Sequence, residues 1–327
     1  MANSYQGQVV LPSASRLIFS LRDMGYEFAE AVADLIDNSI EASATRVEIN
    51  VEFDGKHSWV RIVDNGNGMT EEQLLEAMRY GSERDYKKSD LGKFGLGLKT
   101  ASLSQCQKLS VASRSKRNPK TIDGYCWDLA HIAKVNRWEV IPLDGRESGP
   151  SIFETLEKTT GTAVLWQRLD KILAFKDPYS ETARKKLGAM CRELEQHLAM
   201  VFHRFLAGEV PDKHLEIILN GNKLKPWDPF ARTEKQTRQL ETQYFRVDLG
   251  KITETVKMVP YILPAKNQFS STEAFNAASG PANWNQQQGF YIYRADRLIQ
   301  SGGWSRLRTA DEHTKLARIA LSFSPVI

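Results

Sequence analysis

The sequence predicts an α+β protein: an N-terminal α/β sandwich whose mixed, mostly antiparallel sheet carries helices on one face, followed by a smaller α/β domain. Three observations predict it. Residues 26–43 and 180–206 repeat apolar side chains at helical steps, short β-rich runs lie between them, and Asn220-Gly221 marks a hairpin beyond them. At 327 residues and 41% hydrophobic composition the chain is long and apolar enough for two cores. The expected limits are 1–175 for the first domain, 176–206 for a connecting helix and 207–327 for the second domain.

Residues 1–25 are mixed. Val9-Val10-Leu11 is a short apolar clip, and Ser13 to Arg22 reads as a serine-capped helix. From Tyr26 to Ser43, Phe28, Val32, Leu35, Ile36 and Ile40 form an apolar stripe, while Asp34, Asp37, Asn38 and Glu41 share another face. Charged stripes are common on exposed helices. Here the stripe includes a neutral amide, and a carboxylate with an amide oxygen suits Mg²⁺, a hard cation that keeps several of its waters. Asp34, one turn before Asn38, is placed to hold and deprotonate a water, as phosphoryl transfer requires.

Arg46 to Phe53 alternates as a half-buried strand, and Asp54-Gly55 turns it into a second strand over 58–63. Asp64-Asn65-Gly66-Asn67-Gly68-Met69 then breaks that strand with residues tolerant of positive φ. In this setting Asp64 is a candidate acceptor for an adenine amino group, with Gly66 and Gly68 allowing close backbone approach. Thr70-Glu71-Glu72-Gln73 is a capped helix start. Residues 80–90 carry Arg84, Lys87 and Lys88 without apolar periodicity, a solvated loop that serves equally as a lid.

Gly92-Lys93-Phe94-Gly95-Leu96-Gly97 differs from the dinucleotide fingerprint in spacing, and no strand run precedes it, which argues against a Rossmann site. It runs into Leu98-Lys99-Thr100-Ala101-Ser102, a helix start whose free N–H groups suit phosphate oxygens, with Lys93 and Lys99 adding charge. Strands are expected over 108–113, 124–129 and 138–142, then from Gly161-Thr162 to Trp166. The stripe Leu187, Met190, Leu194, Leu198, Val201 and Phe205 makes 180–206 a helix facing its own core. Beyond it come strands at 215–219, 223–224, 256–263, 289–294 and 297–299. Residues 267–288, rich in Asn, Gln, Ser and Ala, read as a surface loop, and Tyr291 and Tyr293 share one packed face of their strand.

A net charge of +4 permits nucleic-acid contact without arguing for it. Cys106, Cys126 and Cys191 are odd in number and widely spaced, suggesting neither a disulfide framework nor zinc, and a reducing cytoplasm is the expected setting. No signal peptide is read over 1–15. No apolar run reaches the roughly eighteen residues that a membrane span needs.

The three segments, 33–42, 63–69 and 91–100, resemble the N-box and the two glycine boxes of the GHKL ATPases, the superfamily of type II topoisomerase ATPase subunits, ninety-kilodalton heat-shock chaperones, histidine kinases and MutL. Gly97-Leu98-Lys99-Thr100-Ala101-Ser102 is most similar to the MORC branch and its bacterial relatives. The resemblance implies a Bergerat-type sandwich, ATP bound with Mg²⁺ on Asn38, adenine read by Asp64, and Asp34 as the hydrolytic base. It places Gly66, Gly68, Met69, Gly92, Lys93, Phe94, Gly95, Gly97, Leu98, Lys99 and Thr100 around the nucleotide. It also implies that Thr162 bonds the adenine-reading acid or its water, and that residues 69–98 form a lid. The second domain resembles the transducer of MORC-type proteins. A homodimer closed by ATP, with the leading segment crossing to its partner, follows from the resemblance alone, as do DNA or other protein subunits as partners.

Two departures matter. Hydrolytic members usually carry Glu where this chain has Asp34, and the missing methylene favours slow hydrolysis or a non-hydrolysing nucleotide sensor. Transducers usually supply a lysine to the terminal phosphate from a loop beyond their core strands. Too few residues follow Ser322 for that loop, so a fragment of a longer protein is expected, with Lys315 and Arg318 as weak substitutes. A histidine-kinase core needs a phosphoacceptor His followed by an acid, and none of the six histidines has one. The candidate ATPase helix also starts within about 30 residues of Met1.

Overall fold

The computed structural model describes residues 10–23, 25–81, 97–146, 150–248, 250 and 253–324. The first part opens with α1 (Ala14–Arg22), where the Ser13 hydroxyl accepts from Arg16 N–H, and α2 (Phe28–Glu41). Strands β1 (Arg46–Glu52) and β2 (Trp59–Asp64) pair antiparallel with Ile49 opposite Ile62. Helix α3 (Glu71–Met78) starts with a reciprocal Thr70–Gln73 capping box, as the sequence predicts. Then come α4 (Gly97–Leu103), β3 (Lys108–Arg114), β4 (Asp123–Asp128), α5 (Leu129–Val135), β5 (Ile141–Pro142) and β6 (Gly161–Gln167). Helices α6 (Glu181–Val201) and α7 (His203–Leu206) lead to β7 (Glu216–Leu219) and β8 (Asn222–Lys223).

These strands form one sheet in the order β5-β4-β3-β6-β2-β1-β7-β8, antiparallel throughout except where β7 runs parallel to β1. Strand alternation sorts its two faces. Val47, Ile49, Val60, Ile62, Leu109, Val111, Val164 and Trp166 share a core with Phe28, Ile36, Leu74, Ile132, Leu187 and Leu198, so the helices cover one face. Ala112, Ala163 and Leu165 point the other way, under Ile152 and Leu156.

The second part holds β9 (Arg238–Gln239), β10 (Gln243–Asp248), β11 (Thr253–Ile262), α8 (Thr272–Ala278), β12 (Gly289–Arg294), β13 (Arg297–Ser301) and β14 (Ala317–Phe323). Its sheet runs β10-β11-β14-β12-β13, with β9 also on β11 and only β12/β14 parallel. Tyr291 and Tyr293 are fully buried in a separate core, as their alternation predicts. So is Arg318. Its guanidinium lies among the rings of Trp227, Trp284 and Tyr291 and bonds the carbonyls of Pro229 and Ala278.

Several expectations are corrected. The Asn220-Gly221 hairpin forms, but β7 pairs with β1, and Leu215, Ile217, Leu219 and Leu224 join the first core. The first sheet and its core therefore take in residues up to Leu224. Phe202, at φ −103°, interrupts the long helix expected to reach Leu206. The supposed loop over 267–288 contains α8, capped by Ser271, and ends in the buried Gln287 and Gln288. Only two residues of the strand expected over 138–142 form one, because Trp138 turns aside to pack on Tyr80 and Trp127 at 5.5 and 6.1 Å. Strand β14, central to the second sheet, carries no alternation clear enough to have been read.

Candidate functional site

The site is built at one end of the helix-covered face, where α2 crosses the ends of β2 and β6. Asp64 is the last residue of β2 and, by alternation with Ile62, points toward α2. It is 8% exposed. Its Oδ1 accepts from the N–H groups of Gly66 at 2.8 Å and Thr162 at 3.3 Å, and the Ser39 hydroxyl lies 3.2 Å from Oδ2. Burial raises its pKa, and these three donors oppose the rise. A carboxylate has about four acceptor positions. Three are taken, and one on Oδ2 remains for an outside donor.

The glycines here are sterically enforced. Gly68 has φ +61°, and a Cβ on it would meet the Arg114 carbonyl oxygen at 2.1 Å. Gly161 has φ +139°, and its Cβ would meet the Asp64 carbonyl oxygen at 1.9 Å. Gly66 would crowd Ala42 O at 2.8 Å. Met69 N–H donates to the Ser113 hydroxyl at 2.8 Å, which in turn bonds Gly161 O and lies 3.1 Å from Thr162 Oγ1. Thr162 thus reaches Asp64 through its backbone N–H, whereas its hydroxyl faces Ser113. The resemblance alone would have assigned that role to either group.

Asn38 is exposed on α2, next to Ser39. Asp34, one turn back, is 30% exposed. Burial is the main cause raising its pKa, opposed by Arg297 and by a hydrogen bond from Tyr26. A Cβ on Gly97 would lie 3.9 Å from Asp34 Oδ2, so the start of α4 faces this carboxylate. Asp37 is paired with Arg297 at 3.0 Å, yet burial pushes its pKa up to about 7.

Gly92, Lys93, Phe94 and Gly95, with Arg84, Lys87 and Lys88, lie outside the described residues. Leu98 packs against the first core, and Thr100 is buried. Lys99 differs from its expected role as a phosphate partner. It is 1% exposed, and its ammonium donates to the carbonyls of Ala77 at 2.8 Å and Arg79 at 2.7 Å, closing the C-terminus of α3. Burial lowers its pKa to about 8. Lys315 pairs on the surface with Glu312, and Arg318 is locked in the second core, so neither side chain is free as the substitute expected of it.

The sequence reading missed Ser39, Ser113 and Arg297. Ser39 was legible as the neighbour of Asn38 on the inner face of the helix. Ser113 needed the β3/β6 register, which sets it opposite Thr162. Arg297 needed the docking of two domains, and no local pattern carries that.

Residues 26–162 match the family of histidine kinase-, DNA gyrase B- and HSP90-like ATPases. Over that segment the chain is similar to the GHKL superfamily, whose members are ATPases. Among individual relatives it is similar to the DNA mismatch repair protein MutL of Shewanella sp. (strain ANA-3), 26% identical over 243 residues, or 67% of this chain and 36% of that protein. It is 34% identical to MutL of Pseudoalteromonas translucida over 93 residues, 27% of this chain and 15% of that protein. MutL of Acidobacterium capsulatum is 28% identical over 200 residues, 58% of this chain and 25% of that protein. The chain therefore spans between 15% and 36% of the length of these relatives. Among the described residues no helix is long and apolar enough to cross a membrane.

Proposed function

We propose that this chain is an ATP-binding and ATP-hydrolysing module in which bound Mg-ATP favours closure of a homodimer. The observation that carries the reading is Asp64: a buried acid with three protein donors, one open acceptor position and glycines on both sides that admit no side chain. That arrangement suits the amino group of adenine. Asn38 fits magnesium because its amide is exposed beside the same helix turn. Magnesium would supply charge compensation for the phosphate oxygens. Asp34 would take the proton of the attacking water, its affinity for that proton raised by burial.

A nucleotide shifts an open–closed equilibrium only by its differential affinity for the closed state. The proposal therefore requires ATP to bind the dimer more tightly than the monomer. The functional analogy is to MORC-like proteins, through Gly97-Leu98-Lys99-Thr100. DNA as the enclosed partner draws support from the mismatch-repair role in the relatives' name, other protein subunits remain open as partners, and a cytoplasmic setting accords with three free cysteines. Titration calorimetry of the folded chain with ATP and magnesium tests the core claim, with binding heat expected and its absence ending the reading.

One observation favours a second reading, a non-hydrolysing sensor. Asp34 is a methylene shorter than the usual Glu, and Arg297 stands 4.0 Å from it. Steady-state phosphate release by this chain, and by one extended at its C-terminus, separates the two. Binding without release in both selects the sensor.

A further inference from the structure

Arg297 begins β13 in the second sheet, but its side chain lies on α2 of the first unit. Its Nε donates to Asp37 Oδ2 at 3.0 Å and Oδ1 at 3.3 Å, and its Nη2 stands 4.0 Å from Asp34 Oδ1. One guanidinium therefore spans two carboxylates a single helical turn apart. It is 19% exposed, its guanidinium carbon lies 5.9 Å from the Phe202 ring centre, and it lines a cleft of about 390 Å³ with Asp34, Glu30 and His197.

Exposed ion pairs contribute little and specify little. This one is different in two respects. It is largely screened from water, and it joins elements 260 residues apart in sequence. Without the cation, Asp34 and Asp37 lose the charge that lowers the pKa of both, so each is driven toward its neutral form or toward water, with Glu30 and Glu41 nearby. The Tyr26 hydroxyl would be the remaining bond that orients Asp34.

We infer that Arg297 is a positioning residue supplied by the second domain: it holds Asp34 in its working orientation only while that domain is docked on α2. Turnover then depends on docking, whereas nucleotide binding at Asp64 does not. The inference rests on the proposed reading of Asp34 as the base.

The test measures both ATP affinity, by calorimetry, and kcat for phosphate release, in the full chain and in Arg297→Ala, Arg297→Gln and Arg297→Lys, with melting curves to identify any variant that fails to fold. Ala and Gln are expected to lower kcat roughly ten- to a hundredfold, the scale set by a misplacement of about 1 Å. Their ATP dissociation constants should stay within about twofold of the parent. Lys restores charge without the planar fork and should recover only part of the rate. Equal kcat in the parent and the Gln variant overturns the inference alone. A parent chain that binds ATP but releases no phosphate also overturns it, since there is then no turnover to position. A parent that binds no ATP overturns the reading on which it rests.

Discussion

Asp64, beside α2, and Asp34, on it, are both acids whose pKa burial raises, and they are held in opposite ways. Asp64 is fixed by N–H groups from its own turn and from β6, with Ser39 closing the third side. All three donors belong to one unit. Asp34 has a tyrosine from just before its own helix and, from the other domain, an arginine at 4.0 Å. On the proposed function, the adenine side is therefore held by local construction, and the hydrolytic side is completed by assembly. On the same proposal, nucleotide binds in any domain arrangement and is turned over in one.

The largest effect expected is on turnover. Asp34→Ala should lower phosphate release by roughly 10²- to 10⁴-fold, the usual worth of a general base, with ATP affinity retained. An unchanged rate removes Asp34 from the mechanism and collapses the contrast. Asp64→Ala should do the reverse and weaken ATP binding by about 1.5–3 kcal/mol, the value of a hydrogen bond to a charged group. It also strands the donors of Gly66, Thr162 and Ser39, so a lower melting temperature should accompany the lost affinity. A variant that melts lower yet binds ATP as tightly as the parent would leave Asp64 a purely structural acid.

The same contrast explains what the sequence revealed. The helix over 28–41 and the capping box at Thr70 depend on neighbours within a few residues, so periodicity and turn chemistry exposed them, whereas Gly66, Gly68 and Gly161 are enforced by backbone atoms of Ala42, Arg114 and Asp64, distant in sequence. Lys99 was misread because charge beside a glycine loop suggests phosphate, while its actual partners are carbonyls at the end of a helix some twenty residues earlier. The hairpin at 216–223 was correctly seen as a hairpin and assigned to the wrong sheet. Its turn is local, but its parallel pairing with β1 is not. Arg297 was recognised only as the start of a return strand. Its function lies in a contact across the domain boundary, where sequence spacing is silent.

A third prediction concerns the metal. Asn38 is exposed and makes no contribution to either core, so Asn38→Ala should change stability by no more than about 0.5 kcal/mol. Magnesium affinity in the presence of ATP should fall by roughly 10- to 100-fold, the cost of losing even an outer partner of a metal site. Magnesium removal with a chelator should then weaken ATP binding in the parent and barely alter it in the variant. Equal sensitivity in both would place the metal elsewhere.

The smallest effect bears directly on assembly. His203 is 1% exposed at the junction of the two domains, where its Nε2 lies 2.8 Å from the Tyr293 hydroxyl of β12. Burial, reinforced by Arg204, pushes its pKa down to about 3. The folded protein thus keeps this imidazole neutral at pH values where the unfolded chain, with a pKa near 6.5, protonates it. Stability from this group is complete above about pH 6.5 and falls as pH drops toward 3, by about 1.4 kcal/mol per pH unit. His197, lowered to about 4 by burial and Arg297, adds in the same direction. Asp37 acts oppositely, because its raised pKa makes the folded state the better proton binder between about 7 and 3.8. The His203 contribution is isolated by comparing the parent with His203→Gln in denaturant unfolding at pH 7 and pH 5.5. The parent should lose about 1.3 kcal/mol more than the variant. Parallel pH curves would show that His203 does not titrate on unfolding. With the expected divergence, phosphate release should fall faster than ATP affinity on acidification, because the weakened junction supports Asp34 and leaves the donors of Asp64 intact.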